Sequence, residues 1–129
     1  MTKEEHINYW KALSKDDFET AKYNMEGGKN LPALFFFHLS LEKMLKAHWV
    51  KDNLNNSPIF THDLQKIASE TDIQLESAHF ELLSVVNIWN IEARYPDFKN
   101  TLKKIATKEY TFLQFERVKS FLEWLENQL

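Results

Sequence analysis

Arg94 heads the segment Arg-Tyr-Pro-Asp (residues 94–97), between a long apolar run and a proline, and it is one of two arginines in the chain. A guanidinium is a planar fork that can hold two carboxylates, or a phosphate, through paired hydrogen bonds. Two carboxylates elsewhere need such a partner. Asp17 falls on the stripe that carries Trp10 and Ala21, and Glu42 is flanked by Leu41, Lys43, Met44 and Leu45. A buried carboxylate without a cation is costly, so Arg94 is the natural partner of both. Two readings follow: a polar cluster that fixes helix register, or the edge of a binding site.

Three further groups carry chemistry. Thr61-His62-Asp63-Leu64 reads as a helix start, where free backbone N–H groups can be capped by Thr61 or Asp63 or can receive an anion. His38 precedes Glu42 by one helical turn and His48 follows on the same helix, but a metal site usually needs three or more protein ligands and no third is evident. Lys99, Lys103, Lys104 and Lys108 place four ammonium groups in ten residues without an acid. With few aromatic platforms among them, a solvated connector is favoured over a phosphate-binding surface. Glycine-rich phosphate loops, Gly-x-Ser-x-Gly and His-Glu-x-x-His are missing, so neither cofactor nor metal is expected.

The elements that must position these residues are helical. With 129 residues the chain fits one domain spanning 1–129, and 43% hydrophobic residues with only 2 glycines and 3 prolines argue against disorder or a turn-rich β architecture. A net charge of −3 supplies no global field for nucleic acid or anionic lipid, and the absence of cysteine excludes disulfides and thiolate chemistry. The charged start and the lack of a long apolar run predict a cytoplasmic protein without membrane contact.

Thr2 and Glu5 form a capping-box pattern and Gly27-Gly28 a stop, which predicts a first helix over about 3–26. Its inward stripe is Ile7, Trp10, Ser14, Asp17, Ala21 and Met25. Pro32 suits the first turn of a second helix that runs to about Lys51 and is apolar over most of its circumference, which places it centrally. Thr61 can cap a short helix. Ser77 is expected to cap a third long helix that Pro96 ends near Arg94. Thr111 and Gln114 make a capping box for a last helix, with Tyr110 and Phe115 as its staple, and Phe115, Val118, Leu122, Leu125 and Leu129 form its apolar stripe. Residues 97–110 are an amphipathic connector. The fold expected is all-α, an antiparallel up-and-down bundle of four main helices plus one or two short ones. Phe35, Phe36, Trp49, Phe121 and Trp124 exceed what one inward stripe per helix can hide, which predicts a homodimer.

Taken in order, Asp17 and Ala21, "FFFHLSLEKMLKAHWV", "THDL", "EARYPDF" and "YT" before a long helix resemble bacterial and archaeal HEPN domains from about Trp10 to Leu125. The resemblance implies a small helical fold that commonly dimerises, often encoded beside a minimal nucleotidyltransferase, with members acting as toxins, ribonucleases or nucleotide-binding modules. Catalytic members carry Arg, four to six residues, then His. Here positions 99–101 after Arg94 are Lys, Asn and Thr, and positions 122–124 after Arg117 are Leu, Glu and Trp. Without a histidine to move a proton at neutral pH, Arg94 can hold a phosphate or a carboxylate but cannot complete the cleavage. The resulting expectation is a non-catalytic module that binds nucleotide, RNA or a nucleotidyltransferase partner through Arg94, Tyr95, Asp97, Asp17, Glu42, Lys43, His62 and Asp63. Its rivals are a metal-independent ribonuclease toxin with an altered site and a purely structural interaction module.

Overall fold

A computed structural model describes the backbone of residues 1–94 and 96–129 and the side chains of residues 1–90 and 101–129. Six helices follow one another among the described residues: α1 (Lys3–Glu26), α2 (Asn30–Asp52), α3 (Leu64–Ser69), α4 (Ser77–Arg94), α5 (Pro96–Ile105) and α6 (Lys108–Asn127). No strand occurs among the described residues, and no helix is long and apolar enough to cross a membrane. Four long helices and two short ones make the bundle that the periodicity predicts.

Side-chain contacts fix the direction of each long helix. Lys3 at the start of α1 donates to the Val50 and Asn53 carbonyls at the end of α2, so these helices are antiparallel. Phe18 of α1 stacks on Phe115 early in α6, while Lys11 and Lys15 meet Glu126 late in α6, so α6 also opposes α1. His79 early in α4 stacks on Phe121, and Trp89 late in α4 donates to the Tyr110 hydroxyl, which sets α4 against α6. The order is up, down, up, down.

At the centre of the bundle, α2 touches all five other helices. Fourteen of its twenty-three residues are buried, more than one face can carry, so the helix must be covered on several sides. Leu34, Phe37, Leu41, Met44 and His48 are all in the core. Against this helix α1 presents the stripe read from its sequence, and the two polar positions in that stripe have partners on α2. Ser14 Oγ donates to the Ser40 carbonyl at 2.7 Å, and Asp17 pairs with Lys43. Gly28 closes the α1–α2 turn at φ 78°, a conformation that disfavours a side chain.

Three local expectations are corrected. Helix α6 begins a turn earlier than Thr111: Thr107 is its N-cap and accepts from the Tyr110 N–H at 3.1 Å. Thr111 is fully buried inside the helix and returns its hydroxyl to the Thr107 carbonyl at 2.8 Å. Both threonines have the side chain a cap requires, and the earlier one wins because Tyr110 and Thr111 can then bury against the bundle. At α3 the cap is Asp63, whose Oδ1 accepts from the Gln65 and Lys66 N–H groups, whereas Thr61 accepts from Asp63 itself. Finally, the residues thought to be surplus are mostly covered within one chain: Trp49 and Phe121 are buried, and Phe36 and Trp124 pack against the core. The exposed large hydrophobic residues include Leu54, Phe60, Phe80, Ile88, Phe112 and Leu113.

Candidate functional site

Glu42 anchors a side-chain network that joins α2 to the loop before α3. It is 3% exposed, one turn of α2 from His38 and one from Lys46. Lys46 Nζ meets its Oε2 at 3.2 Å, and His62 Nδ1 meets its Oε1 at 2.8 Å. His38 is fully buried with its Nδ1 4.0 Å from the same Oε1, and its Nε2 donates to the His62 carbonyl at 3.0 Å. The loop is thus fastened to α2 twice, once through the backbone of His62 and once through its ring.

The pairing of Glu42 with Lys46 is written in the sequence as Glu followed four residues later by Lys, the favourable order on a helix. Lys46 is also 5.3 Å from the Trp10 ring centroid, which places an aromatic face of α1 against the ammonium group. A buried carboxylate so enclosed has its charge answered and its second oxygen committed.

This geometry orients His62. A carboxylate acceptor on Nδ1 fixes the hydrogen there, so Nε2 is an acceptor in the neutral ring and a donor in the protonated one. Nε2 has no protein partner among the described residues, and 38% of the side chain is exposed. Beside it stands Phe60, 98% exposed, with its ring centroid 6.3 Å from the imidazole. The chemistry open to the corner is to accept or donate one proton, or to bind an anion, next to an apolar ring.

The other expected site residues separate into groups. Asp17 and Lys43 form an ion pair between α1 and α2. Asp63 Oδ1 is taken by two N–H groups of α3 and by Asn87 Nδ2 at 3.0 Å, while Asn87 Oδ1 accepts from the Leu64 N–H at 2.9 Å. That clasp joins α3 to α4 and places Asp63 directly after His62. Arg94, Tyr95 and Asp97 lie outside the residues whose side chains are described, as does Lys99. Among the described residues, Lys43 of α2 answers Asp17, and Lys46 of α2 together with the His62 ring answers Glu42.

His48 is a core residue apart from this corner. Its Nε2 donates to the Leu125 carbonyl at 2.7 Å, and burial is the main cause that holds its pKa below the ordinary 6.5. Sequence reasoning missed Lys46 and Phe60. The first carries a readable signal in its spacing from Glu42; the second carries none, because exposure of a loop aromatic is decided by where the loop is fastened.

Comparison with known proteins agrees with the fold. The family model described as HEPN domain matches residues 7–128, nearly the whole chain. No curated protein and no solved structure matches.

Proposed function

We propose, from the premise that the chain belongs to the HEPN domain family, that it is a non-catalytic module binding a nucleotide or RNA at the corner where His62 stands on Glu42. The carrying observation is the buried carboxylate on Nδ1 with Nε2 left to solvent. In its protonated form the ring can donate from Nε2 to a phosphate oxygen with its orientation already set, which lowers the ordering cost of binding. Phe60 adds a face on which a base can stack. Arg94, Tyr95 and Asp97 complete the ligand set in this reading. The module acts as a homodimer, paired with a nucleotidyltransferase in a toxin–antitoxin-like arrangement in the cytoplasm.

Absence of a histidine four to six residues after either arginine supports the non-catalytic assignment. A second reading draws on the same dyad: in a ribonuclease with an altered site, His62 takes the proton from a ribose 2′-hydroxyl and Glu42 holds the ring in position. A third, in which the charged residues are scaffold, is favoured for Asp17 and Lys43 by their pairing across the α1–α2 interface.

Arg94→Ala and His62→Ala separate these readings. The module predicts loss of uridine monophosphate binding in both variants, with the helical circular dichroism kept and no RNA cleavage by the parent protein. Cleavage of single-stranded RNA by the parent, abolished in His62→Ala, would establish the ribonuclease instead. Unfolding of Arg94→Ala, with mononucleotide binding undetectable in the parent, would leave the scaffold.

A further inference from the structure

Two groups of lysines differ in what they meet. Along the flanks, Lys11, Lys15, Lys43, Lys46, Lys51 and Lys66 each meet a carboxylate. At the end of the bundle where α1 turns into α2 and α5 passes to α6, Lys22, Lys29, Lys103 and Lys108 meet none among the described residues.

These four line two adjoining recesses. One, of about 510 Å³, has Lys22 and Lys108 on its walls and Met25, Phe112 and Phe115 among its lining. The other, of about 470 Å³, has Lys29 and Lys103. Glu26 of the first recess and Gly28 of the second are two residues apart, as are Lys108 and Ala106 on the opposite side, so the two are neighbours at this end of the bundle. Among the described residues that line them, Glu26 and Glu109 are the acids, which leaves four cations against two anions in a chain whose net charge is −3. Lys22 and Glu26 are four residues apart in the less favourable order on a helix, and they form no ion pair.

Few aromatic platforms stand among the lysines of the run in sequence. Folding brings it one. Phe112 is 54% exposed and lines the recess with Lys22 and Lys108, and its ring centroid is 6.0 Å from that of Phe115. An exposed ring at an end of the bundle where ammonium groups outnumber the acids beside them, four to two over both recesses, is the combination that takes a single-stranded nucleic acid: bases stack on the ring and phosphates meet the lysines. An acidic peptide would answer the lysines without needing the ring. A lipid surface would need a broad apolar face rather than a recess holding one exposed ring.

We propose that this end of the bundle is a docking surface for single-stranded nucleic acid, with Lys22, Lys29, Lys103 and Lys108 on the phosphates and Phe112 under a base. The proposal goes beyond the His62 corner and does not depend on it. Twelve helical residues separate Asn30 from Glu42 along α2, roughly 18 Å at the α-helical rise, so one short strand can engage this end without covering the corner.

Fluorescence anisotropy with labelled 12-mers of oligouridylate and oligothymidylate tests it. Binding should weaken with salt, with a log–log slope of about −3 if four phosphates are neutralised. Lys103→Glu/Lys108→Glu should weaken it on the order of tenfold or more and flatten the slope. Phe112→Ala should weaken it about tenfold at an unchanged slope. All three positions are exposed, and unchanged circular dichroism verifies folding. Mononucleotide binding should survive in the lysine variant and be lost in His62→Ala, so either surface can fail without the other. A preference between the two 12-mers assigns the natural strand as RNA or DNA. No binding of either 12-mer, equal binding by the lysine variant, or displacement of the 12-mer by polyglutamate or anionic vesicles as readily as by unlabelled strand would overturn the proposal.

Discussion

His62 Nδ1 stands 2.8 Å from Oε1 of Glu42, a carboxylate that is itself 3% exposed and held on its other oxygen by Lys46. A half-exposed loop residue is thereby fixed by a group in the bundle's central helix. The cost of removing that group follows from its burial. Glu42→Gln keeps the shape but leaves the Lys46 ammonium buried without its countercharge, which should destabilise the fold by about 3 kcal/mol. Denaturant unfolding reads this as a lower midpoint at unchanged slope. Adding Lys46→Met to Glu42→Gln should recover part of the loss, because no unpaired charge then remains.

Acid should act through His48 before it acts on the carboxylates. Burial lowers the His48 pKa from its ordinary 6.5, so below that pH the unfolded chain takes up a proton that the folded chain refuses. This stability is complete above pH 6.5 and is lost as pH falls toward the folded value. His48→Gln retains an N–H donor for the Leu125 carbonyl and does not titrate, so the melting temperature of the variant should be flatter than the parent's between pH 7 and 5.5.

The carboxylates give a second, more acidic limb. A hydrogen bond from Trp49, followed by one from Lys66, lowers the Glu70 pKa below 4.5, and hydrogen bonding from Lys15 leads the lowering of Glu126. For Asp52, burial acts to raise the value, but hydrogen bonds from Lys51 and the Asp72 N–H outweigh it and the net shift is downward. Stability from all three is present above their unfolded values and lost as pH falls through the folded ones. His48→Gln should therefore leave the loss of melting temperature below pH 4.5 in place.

Helix caps explain both what the sequence revealed about the fold and what it concealed. The capping box at Thr2 and Glu5 and the glycine stop were legible, because one candidate stood at each end of α1. At α6 two threonines four residues apart compete, and only burial of Tyr110 and Thr111 against the bundle decides for Thr107. Thr107→Ala should cost about 1 kcal/mol in unfolding free energy. Asp63→Ala should cost at least as much, since its oxygen also holds Asn87 of α4.

The site was legible in part for similar reasons. Spacing along one helix exposes Glu42 and Lys46 as a pair, and the need of a buried carboxylate for a cation was correct in kind. That His62 also supplies a partner depends on how an eleven-residue loop crosses α2, which residue types do not encode. The same holds for Phe112, whose position beside Lys22 exists only once α1 and α6 have packed antiparallel.

Association should be visible at micromolar concentration. Phe80 and Ile88 are eight residues apart on α4 and share one exposed stripe with Ser84 between them. Exposed apolar side chains so aligned suit a subunit contact. Sedimentation equilibrium should give twice the 15.4 kDa chain mass, and Phe80→Glu/Ile88→Glu should return it to one chain. A parent protein at 15.4 kDa would contradict the homodimer.

The most direct test of the binding module is a uridine monophosphate titration of 15N-labelled protein followed by amide chemical shifts. Saturable shifts should centre on residues 60–64 and on Glu42, and they should vanish in His62→Ala while the remaining spectrum is preserved. Shifts that never saturate, or that persist unchanged in His62→Ala, would contradict the account.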